Sequence, residues 1–99
     1  MSKKEEVQFL FEDGRFFLED ESSKMIAEIT YTKAGEGILI IDHTFVDPVL
    51  RGQGIARKLV DSVVKLANNE NKKIIPLCPY AKRLFDEEES YQKVMYQQK

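Results

Sequence analysis

One cysteine and one histidine are all that this 99-residue chain contains of those types, so neither an internal disulfide nor a Cys/His zinc site of about four ligands is available to it. Long apolar runs are missing too. The longest, Ile38 to Ile41, covers four residues, whereas a membrane helix needs about 20, so no membrane span is expected. The opening Met1-Ser2-Lys3-Lys4-Glu5-Glu6 turns acidic straight after its lysines and has no apolar h-region, so no secretory signal is expected and a cytoplasmic location follows. Repeats, linkers and low-complexity segments are absent. What is present is ordinary globular usage, with 42% hydrophobic and 32% charged residues, and a length that suits one domain over residues 1–99.

Neither sign of charge dominates, the formal net charge being −2. By segment, however, residues 51–83 hold eight basic residues against Asp61 and Glu70, a surplus of +6, while the remainder has seven basic and fifteen acidic residues, a balance of −8. A basic segment within an acidic chain suggests a local anionic ligand. A nucleic-acid partner would favour a basic domain as a whole, so none is expected. The acidic remainder could draw a cationic amine.

The first half reads as strands. Val7 to Phe11 and Phe16 to Leu18 flank the Asp13-Gly14 turn signal, and the pair is expected to be antiparallel. Acidic and serine residues from Glu19 to Ser23 make the next turn. Met25 to Tyr31 alternates, and Ala34-Gly35-Glu36-Gly37 turns the chain into a strand from Ile38 to Val46. Apolar residues on both parities at its start predict cover on both faces. The second half changes period. Ile55, Leu59, Val63, Leu66 and Ala67 recur at helical spacing, so a helix is expected over Gly54 to Asn68, with Asn68-Asn69 as its left-handed stop. Lys73 to Leu77 reads as a short buried strand, Pro79 as the first position of a second helix, and Asp86 to Glu88 as a break. A short final helix carrying Tyr91, Val94 and Met95 follows.

Between strand and long helix lies Asp47-Pro48-Val49-Leu50-Arg51-Gly52-Gln53-Gly54-Ile55-Ala56. Two glycines at the mouth of a helix make either a plain tight turn or a cradle whose free N–H groups face an anion such as a diphosphate. No Gly-Lys-Ser/Thr follows, against a P-loop hydrolase. Antiparallel strands precede the loop, against a dinucleotide fold of parallel units.

Arg51-Gly52-Gln53-Gly54-Ile55-Ala56 matches the Arg/Gln-x-x-Gly-x-Gly/Ala signature of the GNAT N-acetyltransferase superfamily, which the chain resembles from about Val7 to Tyr91. His43-Thr44 before the loop and Pro76-Leu77-Cys78-Pro79-Tyr80 after the next strand are similar to its compact, single-domain subgroup. The resemblance implies an α/β (α+β) fold with a mixed sheet: an antiparallel meander followed by a β-α-β-α acetyl-CoA-binding core. It implies acetyl-CoA as cofactor, with pantetheine along the backbone of Thr44, Phe45 and Val46. The pyrophosphate would lie on the N–H groups of Gln53, Gly54, Ile55, Ala56 and Arg57, beside Arg51 and Gly52. Lys82 belongs to the same expected cofactor set. The strand ending at Cys78 would splay from the one holding His43 to admit the thioester. An amine, on a small molecule or on a protein, would be the acetyl acceptor.

Three side chains are candidates for the chemistry. Cys78 would cap the second helix, where the positive helix end with Lys82 and Arg83 favours an anionic nucleophile. Its other reading is a small buried hydrophobe. His43 is a candidate base or hydrogen-bond partner, and Asp42 is not expected to orient it, because successive strand residues face opposite ways. Tyr80 is a candidate proton donor to the departing thiolate. Direct transfer to the amine and transfer through an acetylated Cys78 both stay open. Members of the subgroup often carry a glutamate where Phe45 stands here. A regulatory protein that binds acyl-CoA without turnover is the alternative; His43 and Cys78 favour the enzyme.

Overall fold

The computed structural model describes residues 8–50 and 52–96. Five strands form one sheet in the order β1 (Leu10–Glu12), β2 (Arg15–Glu19), β3 (Met25–Ala34), β4 (Ile38–Val46), β5 (Lys73–Pro76). The first four are antiparallel neighbours and β5 runs parallel to β4. A 3-10 turn at Pro48–Leu50 leads toward α1 (Ile55–Glu70), which crosses to β5; α2 (Pro79–Glu87) and α3 (Glu89–Gln92) follow. The meander and its β-α-β-α continuation are therefore as the residues and the resemblance implied. Of the first expected strand, Leu10 and Phe11 lie in β1, and Val7 lies outside the described residues. β3 runs on past Tyr31 to Ala34, because Thr32, Lys33 and Ala34 keep their partners Ile40, Leu39 and Ile38.

Among the described residues, the helices cover one face of the sheet. Ala27, Ile29, Tyr31, Leu39, Ile41 and Ile74 are buried in one cluster with Leu59, Val60, Val63 and Ala67 of α1 and Ala81, Leu84 and Phe85 of α2. Side chains paired across strands share a face, and these six strand residues occupy a single face by register. Each large apolar side chain buried there contributes about 1.5–3 kcal/mol. Ile38 and Ile40, on the other face, are only half-buried. The expected double cover of β4 is thus corrected: β4 is central by pairing, yet among the described residues no helix lies on its second face. Phe17 is buried on that open face by a different means, with the Arg15 guanidinium carbon 3.7 Å from its ring centroid.

Two helix ends differ from expectation. α1 passes through Asn68-Asn69, and the left-handed residue that stops it is Asn71 (φ 59°), because its N–H and that of Lys72 reach the last carbonyls, Asn68 and Ala67. Asparagine tolerates this conformation at small cost. α3 closes at Gln92, so Val94 and Met95 fall outside it. There the chain runs beside β5, Ile74 donating its N–H to Val94 (2.6 Å) and accepting from Tyr96 (2.8 Å). The break lies where four successive acids place it, at Glu88, which follows α2 and precedes α3.

Candidate active site

A β-bulge sets the site. Tyr31 pairs with Ile41 and Thr30 with His43, so Asp42 has no partner across the ladder. The extra residue shifts the parity of everything after it. Thr44 and Val46, opposite Ile29 and Ala27, therefore turn to the helix face, while His43 and Phe45, opposite Thr30 and Glu28, turn to the open face. Asp42 also lies on the open face, its Oδ2 accepting from the Thr32 hydroxyl at 2.6 Å. Strict alternation fails at this point, but the Asp42 carboxylate is committed to Thr32 and not to His43.

On the other side of β4 the ladder with β5 ends at Ile41 opposite Pro76. The N–H groups of Leu77 and Cys78 both donate to the Ile41 carbonyl (3.1 and 3.2 Å), after which α2 begins. Pro79 stands at its first position and Cys78 is its N-cap residue, in extended conformation. Pro76 and Pro79 explain this: neither can donate to a ladder, and the second is preset for a helix start. β4 from Thr44 to Val46 is left without a neighbour on that side among the described residues.

A cleft of about 430 Å³ opens on the helix face beside this stretch. Thr44 and Val46 form its floor, Leu50, Gly52 and Gly54 one rim, Ile55 and Ala56 the helix end, and Tyr80 the opposite wall. Gly52 (φ 84°) and Gly54 (φ 73°) adopt the left-handed conformation that glycine enters without penalty. A Cβ on either would stand in open space, so the backbone is bare where a ligand would approach it. The first intrahelical bond runs from Lys58 N–H to the Gly54 carbonyl (3.1 Å), and Gly54 has no capping side chain. The N–H groups of Ile55, Ala56 and Arg57 therefore project, with the positive helix end, toward the glycine turn.

Among the described residues, four cations of the basic segment are engaged by carboxylates. Arg57 is ion-paired with Glu88, Lys82 approaches Asp86 (3.7 Å), Lys65 approaches Asp61 (3.4 Å) and Lys72 approaches Glu70 (3.2 Å). Arg51, expected beside the cofactor, lies outside the described residues. Gln53 is exposed and, like Lys82, is not part of the cleft wall. Among the described residues, the cleft wall at the turn offers an anion backbone N–H groups and no side-chain cation.

The three candidate side chains separate. Cys78 is buried, with Sγ 3.4 Å from the Thr44 hydroxyl, to which it donates. Tyr80, half-buried, lines the cleft and also packs on the core. His43 is exposed on the opposite face of the sheet. Thr44 as the partner of Cys78 and Leu50 as a cleft residue were not anticipated. Leu50 had one available signal, an apolar residue directly before the glycine turn.

Around His43 the register lays out two rows across the open face. Glu12, Arg15, Thr30 and His43 form one, and Leu10, Phe17, Glu28 and Phe45 form the next. Arg15 ties them together, bonding Glu12 through Nε (3.0 Å) and Glu28 through Nη1 (2.7 Å). Those two acceptors raise its pKa above the ordinary arginine value, Glu28 contributing most. Among the described residues, no cluster of three or more His, Cys, Asp or Glu is placed to hold a metal, and no helix is long and apolar enough to cross a membrane.

Residues 15–94 match the family profile described as GCN5-related N-acetyl-transferase. An NMR structure of a GCN5-like N-acetyltransferase candidate from Staphylococcus aureus is 36% identical, with a TM-score of 0.77 over 93% of this chain and 90% of that one. Two structures solved with CoA, a Mycobacterium tuberculosis protein and a GNAT-family N-acetyltransferase from Escherichia coli, share the fold. Each is 20% identical with TM-scores of 0.54 and 0.55, and this chain covers only 40% and 38% of their lengths. No protein of curated function matches the sequence.

Proposed function

This chain belongs to the GCN5-related N-acetyltransferase family, and from that premise we propose that it transfers the acetyl group of acetyl-CoA to an amine, as one domain over residues 1–99. The observation that carries the reading is the junction of two features: a glycine turn with free helix N–H groups, and a β4 edge that β5 leaves after Ile41. CoA in the two distant structures of this fold agrees with the same ligand here. The bare glycine backbone at Gly52 and Gly54 fits a diphosphate, and the free edge of Thr44, Phe45 and Val46 fits the amides of a pantetheine arm.

Bound acetyl-CoA supplies an activated acyl thioester. Thr44 and Val46 would hold it along the cleft floor, and the free edge of β4 would direct the acyl carbon into the gap beyond the Thr44–Cys78 contact, where β5 no longer pairs with β4. His43, on the far face, accepts the proton that the attacking amine gives up. Tyr80 returns a proton to the sulfur as the thioester C–S bond breaks, so the products are the acetylated amine and CoA thiol. Arg57, paired with Glu88, contributes its backbone N–H; its side chain and Lys82 stay with their carboxylates. The separation of His43 from Cys78 favours direct transfer: His43 is not placed to activate the thiol. Cys78 instead donates to Thr44 and fixes the wall of the gap.

The test is acetyl-CoA turnover with a panel of primary amines, alongside the mass of the intact protein. His43→Ala should lose about 10²-fold or more in kcat while acetyl-CoA still raises the melting temperature. An acetylated protein that depends on Cys78 and decays on adding amine would overturn direct transfer. No thermal shift with acetyl-CoA would overturn the cofactor assignment.

A further inference from the structure

Glu28 is a carboxylate on an open sheet face, yet its side chain is only 15% exposed. It stands between two rings, Phe17 on β2 and Phe45 on β4, as their direct cross-strand neighbour. Arg15 bonds only its Oε2, and Oε1 has no partner among the described residues. The Phe17 ring is already covered by Arg15, whereas the half-buried Phe45 ring meets no cation or other ring among the described residues. Arg15 is shared with Glu12, and Asp42 adds a third carboxylate nearby, so the face around His43 keeps a negative surplus.

We propose that Glu28 and Phe45 form an ammonium subsite that selects diamines as acetyl acceptors. The inference rests on the acetyltransferase reading, because it takes His43 as the place where the reacting nitrogen sits. Glu28 is diagonal to His43 across the β3–β4 pair, a separation of about 7–8 Å between backbones. That is about the reach of a five-carbon chain. A diamine of this length presents its neutral nitrogen at His43 while its other, charged nitrogen meets Glu28 Oε1 and the Phe45 ring, combining an ion pair with a cation–π contact. Glu28 thus acts on specificity and does not touch the thioester.

The experiment compares 1,5-diaminopentane with pentylamine, which has the same reacting end and no second charge. The native protein should prefer the diamine by about tenfold or more in kcat/KM. Glu28→Gln should abolish that preference through the KM of the diamine, and Glu28→Asp should restore part of it. An equal loss for both amines would mean that Glu28 only supports the fold, and would overturn the proposal. Should Glu28→Gln not fold, Phe45→Leu takes its place, with a smaller loss of the same preference expected. Equal use of both amines by the native protein overturns the subsite and leaves the acetyltransferase reading standing. Turnover of neither amine counts against that reading instead. Amide shifts of Thr30 and Phe45 on adding 1,5-diaminopentane then decide the subsite on their own: shifts that Glu28→Gln removes support it, and their absence overturns it.

Discussion

A single backbone angle at Gly54 links stability to ligand binding. Its φ of 73° costs an L-residue about 1–2 kcal/mol, and no atom lies within 4 Å of where a Cβ would be. Gly54→Ala should therefore lower stability by about 1 kcal/mol from conformation alone, without a clash in the free protein. The same methyl would stand in the mouth of the cleft. Acetyl-CoA affinity should fall by more than the stability loss implies, and urea melts beside calorimetric titrations separate the two. The glycine turn was legible because its chemistry is local: two glycines before a helical period specify both the geometry and the free N–H groups. Cys78 as a helix cap was legible for the same reason, through Pro79. The facing of His43 was not, because it depends on a bulge, and no residue type near Asp42 announces one. Glu28 was invisible as a neighbour of Phe45, since cross-strand register is set by the whole meander.

Among the elements, α1 and α3 are where measured stability should report the local chemistry. Asn71 ends α1 in the left-handed region, so Asn71→Ala should cost about 1 kcal/mol and Asn71→Gly should not. Thermal melts of the two variants test this. The sequence offered three asparagines in four residues, and only the register of α1 against the sheet decides which one stops it. α3 is held to α1 by Tyr91, which lies against Phe85 and donates to Asp61 at 3.4 Å. Burial, followed by the Asp61 charge, pushes the Tyr91 phenol up to about 12. An unfolded tyrosine titrates near 10, so above that pH the unfolded state loses its proton before the folded one does. The contribution of Tyr91 is thus complete below about pH 10 and falls away as pH rises toward about 12. Tyr91→Phe should remove this component of the alkaline decline, as the difference between urea midpoints of the two proteins at pH 9 to 11.5 would reveal.

At the scale of the whole molecule, one helix layer on one sheet means one thin core, with no second layer among the described residues to absorb damage. Leu59 is fully buried at its centre. Leu59→Ala should cost about 2–5 kcal/mol, a large part of the roughly 5–15 kcal/mol that typically stabilises a domain. Loss of secondary structure and of tyrosine environment should share one midpoint in urea, since the core and the β4–β5 ladder join the two halves of the chain. The meander and crossover were readable from periodicity. The bare face was not, because Ile38 and Ile40 look like core residues in sequence and owe their half-burial to neighbours in the sheet.

The sheet's two borders are unequal in valence. At β5, Ile74 already spends its outward N–H and carbonyl on Val94 and Tyr96, and Pro76, two residues on along the same border, has no N–H to give. β1 has no such cover among the described residues. Once acetyl-CoA lies along the Thr44 to Val46 edge of β4, β1 is the one adhesive side left among the described residues, and a particle with one adhesive side can join one other and is then used up. Strand-to-strand association of this protein should therefore stop at pairs, where a sheet with two free borders would go on to grow into fibres.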